Sequence, residues 1–281
     1  MILVTGATGT IGRELVSQLV AAGLEVRALT RNPAKARFHP SVQTFTGDLA
    51  EAHTLPGALD GADHVFSLSN GPELGHHETN LAAAARKAGV KRIVKLSVLG
   101  AGTAGAQGVV GWHERGEKAV QDTGVAWTFL RPGMFMSNAL NWAPTIRSTG
   151  KVFLPYGEGK VVMIHPRDIA SVAALALTQS GHEGKAYSLT GAQALGATEM
   201  MAILSEARGK PIEYVEITVE AAGEAMLKAG LPPVLVEGLT KLAAGIRRGE
   251  AGTPLPTLEE ILGRPALTWR DWARENAAAF R

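Results

Sequence analysis

Residues Val4-Thr5-Gly6-Ala7-Thr8-Gly9-Thr10-Ile11-Gly12 follow an apolar run that starts at Ile2 and lead into a segment of helical periodicity. Three glycines so spaced between a strand and a helix have separable jobs. One permits the tight turn, one lets backbone approach a pyrophosphate, and one lets the helix pack closely on the sheet. The unpaired N–H groups of the helix's first turn then face the phosphates, helped by the helix dipole. A glycine pattern alone is weak evidence. At a strand–turn–helix junction heading a βαβ series it marks a dinucleotide site on Gly6, Ala7, Thr8, Gly9, Thr10, Ile11 and Gly12.

The series continues outward from that loop. Residues 2–5, 25–30, 42–45, 64–67, 92–97 and 126–130 read as strands, and 11–22, 53–59, 73–88 and 112–121 as helices. Gly23 and Gly89 stand where two of those helices stop. The strands are near-continuous apolar runs, as when helices cover both faces of a parallel sheet. The fold class is therefore α/β, a Rossmann-type doubly wound parallel sheet joined by right-handed crossovers. After Pro132 the rhythm changes. Residues 150–154 and 160–164 read as a hairpin around the turn-rich 155–159, followed by helix 168–179, strand 186–189, helix 198–207, strand 212–217 and three further helices, 219–229, 233–248 and 268–279. Two domains are expected: residues 1–150 as the NAD(P)-binding domain and 151–281 as a smaller, helix-rich substrate-side lobe, with some segments returning to the sheet.

Composition excludes several classes. The 281 residues hold no cysteine, which removes disulfides, zinc–thiolate sites, iron–sulfur clusters and a Cys nucleophile. A net charge of +2 does not suit a protein that tracks nucleic-acid phosphates. The longest strongly apolar stretch, residues 169–178, is well short of the ~20 residues that cross a bilayer. Met1 runs straight into Ile2-Leu3-Val4 with no basic segment or cleavage site, so a cytoplasmic protein is expected, without membrane or nucleic-acid partners, as a monomer or homodimer. Glu73, His76 and His77 share a helix face, but with no further ligand they read as a solvated helix start, and no metal is expected. Asp168, in His165-Pro166-Arg167-Asp168, reads as a helix N-cap.

The residues after the second strand choose the dinucleotide. NAD-specific folds place a carboxylate there, on the ribose hydroxyls. Here the strand ends in Arg31-Asn32, with Lys35 and Arg37 behind, while Glu25 stands at the strand's far end. An arginine grips a 2′-phosphate bidentately, so NADP(H) is the expected cofactor, held by Arg31 and Asn32.

Residues 6–12, Thr30-Arg31-Asn32-Pro33, Gly47-Asp48-Leu49, Gly89-Val90-Lys91-Arg92-Ile93-Val94, Trp127-Thr128-Phe129-Leu130-Arg131-Pro132-Gly133 and Leu258-Glu259-Glu260-Ile261-Leu262-Gly263-Arg264-Pro265 resemble the NmrA-like family of atypical short-chain dehydrogenases. Its members include quinone oxidoreductases, triphenylmethane dye reductases and non-catalytic redox sensors. The resemblance implies that Asp48 and Leu49 lie against the adenine, Ser67 near a cofactor ribose and Ser97 near the nicotinamide. It also implies that Pro132, Gly133 and Met134 line the nicotinamide or substrate side.

Short-chain dehydrogenases commonly use Tyr-x-x-x-Lys on one helix, where the i, i+4 spacing lets lysine lower the tyrosine's pKa. The literal match, Tyr156-Gly157-Glu158-Gly159-Lys160, contains two glycines and reads as a turn. Counting back from the Thr128–Pro132 motif puts His113 at the lysine position and Val109 at the tyrosine position. Without a phenol, reduction of a quinone or similar conjugated planar acceptor fits better than alcohol–ketone chemistry. Its product anion is stabilised and takes its proton from solvent. His113 and Ser97 are the catalytic candidates. A near-neutral His113 would deliver protons, with turnover falling as pH rises through its pKa. Met134, Phe135, Asn138 and Trp142 are the candidate substrate wall. A non-catalytic NADP(H) sensor acting through a protein partner is the alternative; a tyrosine-dependent epimerase is disfavoured by Val109.

Overall fold

In unit 1 the apolar runs form one parallel sheet, because each is joined to the next by a chain long enough to cross over. The computed structural model describes residues 1–103 and 106–281, apart from the Lys35 side chain. Unit 1 comprises Met1–Pro132 and Pro166–Leu189. Its elements are β1 (Ile2–Val4), α1 (Thr10–Ala21), β2 (Val26–Thr30), β3 (Gln43–Thr46), α2 (Pro56–Leu59), β4 (His64–Ser67), α3 (Leu74–Lys87), β5 (Arg92–Leu96), α4 (Gly108–Gln121) and β6 (Ala126–Pro132). After an excursion into unit 2, the chain returns to unit 1. The excursion carries α5 (Ala143–Thr149), β7 (Lys151–Leu154) and β8 (Lys160–Val162), and the return carries α6 (Pro166–Thr178) and β9 (Lys185–Leu189).

The sheet has seven strands in the order β3-β2-β1-β4-β5-β6-β9, and every pairing is parallel. Between β1 and β4 the order reverses direction, the point where open α/β sheets hold ligands beyond the strands' carboxyl ends. Leu3, Val65, Ile93 and Phe129 meet in a core with Leu55, Leu59 and Leu81. Arg92 anchors the return segment by donating from Nη1 to the Ala176 carbonyl at 2.7 Å.

Unit 2 comprises Gly133–His165 and Thr190–Arg281, so the division falls at Pro132 and not at residue 150. The reason is that Met134 and Met136 are hydrogen-bonded to Ile164 through their backbones, holding 133–165 as one piece. The remaining elements are β10 (Ala194–Gly196), α7 (Ala197–Arg208), β11 (Glu213–Glu216), α8 (Val219–Lys228), α9 (Pro233–Arg247), α10 (Thr257–Leu262) and α11 (Trp269–Asn276). Met200, Leu204, Trp269, Trp272 and Phe280 form its core, with Trp269 and Trp272 stacked at 4.9 Å between centroids. Thr268 caps α11 through a capping box with Asp271.

Two sequence expectations fail here. Residues 150–164 are not a hairpin: β7 pairs in parallel with β11, and β8 pairs antiparallel with β10. The connector instead packs on the end of α9, so closely that a Cβ on Gly159 would lie 2.0 Å from the Ile246 carbonyl oxygen. Asp168 is not an N-cap. Helix α6 begins at Pro166, which suits a first turn because it has no N–H to leave unpaired, and Asp168 lies inside that turn.

Helices α3 and α4 approach each other through glycine. A Cβ at Gly116 would lie 2.6 Å from Leu74 Cδ2, 2.7 Å from Lys95 Cε and 2.9 Å from Glu78 Cγ. Gly116→Ala is therefore expected to destabilise the fold by about 1–3 kcal/mol through overpacking. Gly238→Ala, on exposed helix with nothing within 4 Å of the new carbon, should stabilise it by about 0.5–1 kcal/mol. Denaturant titration of both variants checks the contrast; equal effects would refute the packing argument.

Candidate cofactor site and active site

The three glycines divide the work as the spacing implies. Gly6 has φ +59°, a conformation open to glycine, and a Cβ there would lie 2.8 Å from Leu68 Cδ2. Gly12 packs helix on loop: its Cβ would lie 2.2 Å from the Gly6 carbonyl oxygen. Gly9, the N-cap of α1, is exposed, and the Gly6 carbonyl oxygen, 3.2 Å away, is all its Cβ would meet. Ala7 and Ile11 are buried beneath the loop and shape it from below. The Thr5 hydroxyl fixes the loop sideways, donating to the Leu68 carbonyl and accepting from the Leu68 N–H at 3.2 and 2.8 Å.

No side chain caps α1, and its first turn holds no acidic residue. Its first intrahelical bond runs from Arg13 N–H to the Gly9 carbonyl at 3.0 Å, leaving the amides of Thr10, Ile11 and Gly12 available to an anion. These donors, with the space above Gly9, fit a pyrophosphate.

An open cleft runs along the carboxyl ends of β1, β2 and β4. Of the residues proposed for the cofactor, Gly6, Thr8, Arg31, Asn32, Asp48 and Leu49 line it. So do Arg13, Ser69 and Asn70, which sequence reasoning missed, and His77, which it read as part of a solvated helix start. Arg13 was legible as the basic residue next to Gly12; its Nε donates to the Thr8 carbonyl at 2.7 Å, which holds the guanidinium at the loop. Arg31 is exposed and has no carboxylate within ion-pair distance among the described residues. Arg37 turns back to donate to the Ala34 and Ala36 carbonyls, and the Lys35 side chain lies outside the described residues. Asp48 accepts from the Ala50 N–H at 3.0 Å, which stiffens the turn carrying Leu49.

A buried polar network lies behind the ends of β4, β5 and β6. Glu78 of α3 has no exposed surface and accepts from the hydroxyls of Ser67 at 2.6 Å and Ser69 at 3.0 Å. Both hydroxyls are thus committed to Glu78, and of the two residues it is Ser69 that lines the cleft. Lys95 of β5, also without exposed surface, sets its Nζ 3.7 Å from Glu78 Oε1 and 3.4 Å from Nδ1 of His113 on α4. Burial pushes the Lys95 ammonium down, while Glu78 and Glu117 oppose the shift. Ser97 donates to Glu117 at 2.5 Å, and Arg131 grips the same carboxylate bidentately at 2.9 and 2.6 Å. The backbone bonds Ser97 N–H to Leu130 O and Leu99 N–H to Pro132 O bring Ser97 beside Pro132.

His113 is half-buried on α4, four residues after Val109. The expectation of a near-neutral pKa fails. Burial, and then the neighbouring Lys95 ammonium, push it down to about 3. The ring is neutral throughout the physiological range.

Gly133 and the proposed substrate wall belong to unit 2. Met134 and Trp142 pack against its apolar core, Trp142 at 6.3 Å from Trp269 between ring centroids. Phe135 bridges Ile164, and Asn138 is exposed on a 3₁₀ turn over Met136–Trp142. Tyr156 lies in the 155–159 turn, where burial raises its hydroxyl to about 12, and Gly157 has φ +56°. Among the described residues no group of three ligands forms a metal site, and no helix is long and apolar enough to cross a membrane.

Open amides on a glycine loop, at the switch point of a parallel doubly wound sheet, define the dinucleotide-binding class of protein. Residues 6–180 match the model of the NAD(P)H-binding family. The chain is 44% identical over 283 residues to the NAD(P)H azoreductase of Xenophilus azovorans, covering 100% of this chain and 99% of that protein. It is 43% identical over 282 residues to the (4-alkanoyl-5-oxo-2,5-dihydrofuran-3-yl)methyl phosphate reductase of Streptomyces griseus subsp. griseus, with the same coverage. The crystal structure of the NADPH-dependent quinone oxidoreductase QOR2 of Escherichia coli, complexed with NADPH, superposes with a TM-score of 0.85 at 30% identity, covering 98% of this chain and 99% of that one. The chain belongs to the NAD(P)H-binding family, within the NmrA-like atypical short-chain dehydrogenases, and is an NAD(P)H-dependent oxidoreductase.

Gly9→Val is expected to leave the fold intact while abolishing dinucleotide binding, since its branches enter the space a pyrophosphate needs. Gly12→Ala should fail differently, by distorting the loop itself against Gly6. Calorimetric titration with NADPH, beside circular dichroism of each variant, separates the two; normal binding by Gly9→Val would refute the site.

Proposed function

We propose that this enzyme prefers NADPH and reduces a planar conjugated acceptor, a quinone or an azo compound, without a Tyr-x-x-x-Lys pair. The observation that carries the reading is Val109, which stands where a tyrosine would protonate an alkoxide. The bound dinucleotide supplies a hydride. A conjugated acceptor that receives it becomes a delocalised anion, so its protonation needs no dedicated phenol. The reductases named above, of azo, unsaturated furanone and quinone substrates, support that acceptor class.

Each residue then has a task. The amides of Thr10, Ile11 and Gly12 and the Arg13 guanidinium hold the pyrophosphate. Arg31 grips the 2′-phosphate, Asn32 supports it, and Asp48 and Leu49 border the adenine. Ser69 takes the ribose contact with the oxygen of a hydroxyl whose proton goes to Glu78, while Ser67 holds Glu78 from behind. Pro132 and Gly133 border the nicotinamide side. His113, neutral, donates a hydrogen bond at the reacting end, and Ser97 keeps Glu117 and Arg131 in place beside it. Met134, Phe135, Asn138 and Trp142 remain the proposed acceptor wall. NADPH oxidation against a panel of quinones, azo dyes and saturated ketones tests the reading: turnover is expected with the first two, and a preference for the ketones would sink it.

NADPH is expected to bind at least tenfold more tightly than NADH, a difference of only ~1.4 kcal/mol. Arg31→Ala should remove most of it; equal affinities in the unmutated enzyme would refute the assignment. His113→Ala should lower kcat roughly ten- to a hundredfold with little change in NADPH affinity. Because His113 stays neutral, kcat in the unmutated enzyme should show no inflection from it between about pH 5 and 8. A histidine-like inflection that disappears in the variant would contradict this.

A further inference from the structure

Lys95 has no exposed surface, and nothing above gives it a task in the reaction. Its Nζ donates to the Leu96 carbonyl at 2.9 Å, lies 3.4 Å from Nδ1 of His113, and forms an ion pair with Glu78 Oε1 at 3.7 Å. An ammonium group has three N–H donors and accepts nothing. The approach to His113 is therefore a hydrogen bond only if Nδ1 carries no proton and accepts. A proton on Nδ1 would set N–H against N–H, so the neutral ring must carry its proton on Nε2. The charged groups around the ring point the same way. From β5 comes Lys95; Glu78 of α3 lies beyond the ammonium. Glu117 of α4 is already taken by Ser97 and by Arg131 of β6. The cation is the charge that touches His113 directly.

We infer that Lys95 is a positioning residue: through its contact with Nδ1 it holds His113 in the Nε2–H tautomer, so that the ring serves its ligand as a fixed hydrogen-bond donor. Gly116 is part of the device, because a side chain there would displace the Lys95 stem and Glu78 together. The kinetic consequence rests on the reading of His113 as an active-site residue; the tautomer does not.

Long-range proton–nitrogen correlation spectra of the nitrogen-15-labelled full chain read the ring directly, with His113 assigned by its loss in His113→Gln. One neutral Nε2–H tautomer is expected, unchanged between about pH 5 and 8. An Nδ1–H ring, a mixture of tautomers, or protonation in that range overturns the inference. Lys95→Met, and Lys95→Met/Glu78→Gln in which no buried carboxylate is left alone, test the cause. In a folded variant His113 should lose its single tautomer and titrate nearer its ordinary value. kcat should gain a pH dependence, with KM for NADPH changed less than about threefold, as for a group away from the phosphate contacts. A folded variant that keeps the Nε2–H tautomer overturns Lys95 as the positioning group; if neither variant folds, the unmutated spectrum decides alone. A locked tautomer together with unchanged turnover in His113→Gln supports the positioning and refutes only the active-site reading of His113.

Discussion

A fully buried ammonium in a central strand constrains more of unit 1 than any other single group. Lys95 lies in β5 with β4 and β6 on either side and α3 and α4 against it, away from water that could solvate its charge. A charge so placed is tolerated only when it is paired and its donors are satisfied. Helix α3 must therefore present Glu78 on its buried face, and α4 must come close enough for His113 to reach the ammonium. That approach is possible because Gly116 has no side chain. A buried ion pair is seldom the most stable filling for such a space. What this one does is fix where three strand ends and two helices meet.

The glycine loop depends on the same ground. Gly6 packs on Leu68, and the Thr5 hydroxyl holds that residue through both of its backbone groups. Immediately before and after Leu68 stand Ser67 and Ser69, both bonded to Glu78. Residues 67–69 are thus the joint between the phosphate loop and the buried network. Open backbone amides face the cleft on one side of this joint, and buried side chains set the geometry on the other.

The parts of this arrangement that are local were legible in the sequence. Glycine spacing, apolar runs and helix stops gave the strand series and the loop, because each depends on residues a few positions apart. The pairing of β7 with β11 was not legible, since strand partners chosen across the chain leave no mark in either strand. The network was hidden for a related reason. Lys95 sits inside the apolar run 92–97, and its partners Glu78 and Glu117 lie on separate helices, so no local pattern joins them. The one local sign is that Glu78 falls on the same helix face as Leu74 and Leu81, both buried. A carboxylate at a core position implies a cation opposite it. Arg13 carries no local mark beyond its place after Gly12, and of the basic residues after β2, Arg37 is spent on its own loop.

A histidine pressed against an ammonium cannot serve as a physiological proton switch. Its protonated form would place a second positive charge beside the first, in a site where burial already disfavours one. Such a ring can orient a hydrogen bond but not respond to pH, and the nearby carboxylates, Glu78 and Glu117, are equally committed to partners. On the proposed reading, the enzyme holds cofactor and acceptor in register with groups whose protons stay where they are. The acceptor must then bring its own means of stabilising the charge it receives, and conjugation is the simplest one. Selectivity for flat, conjugated molecules would follow from what the protein declines to supply as much as from the shape of its walls.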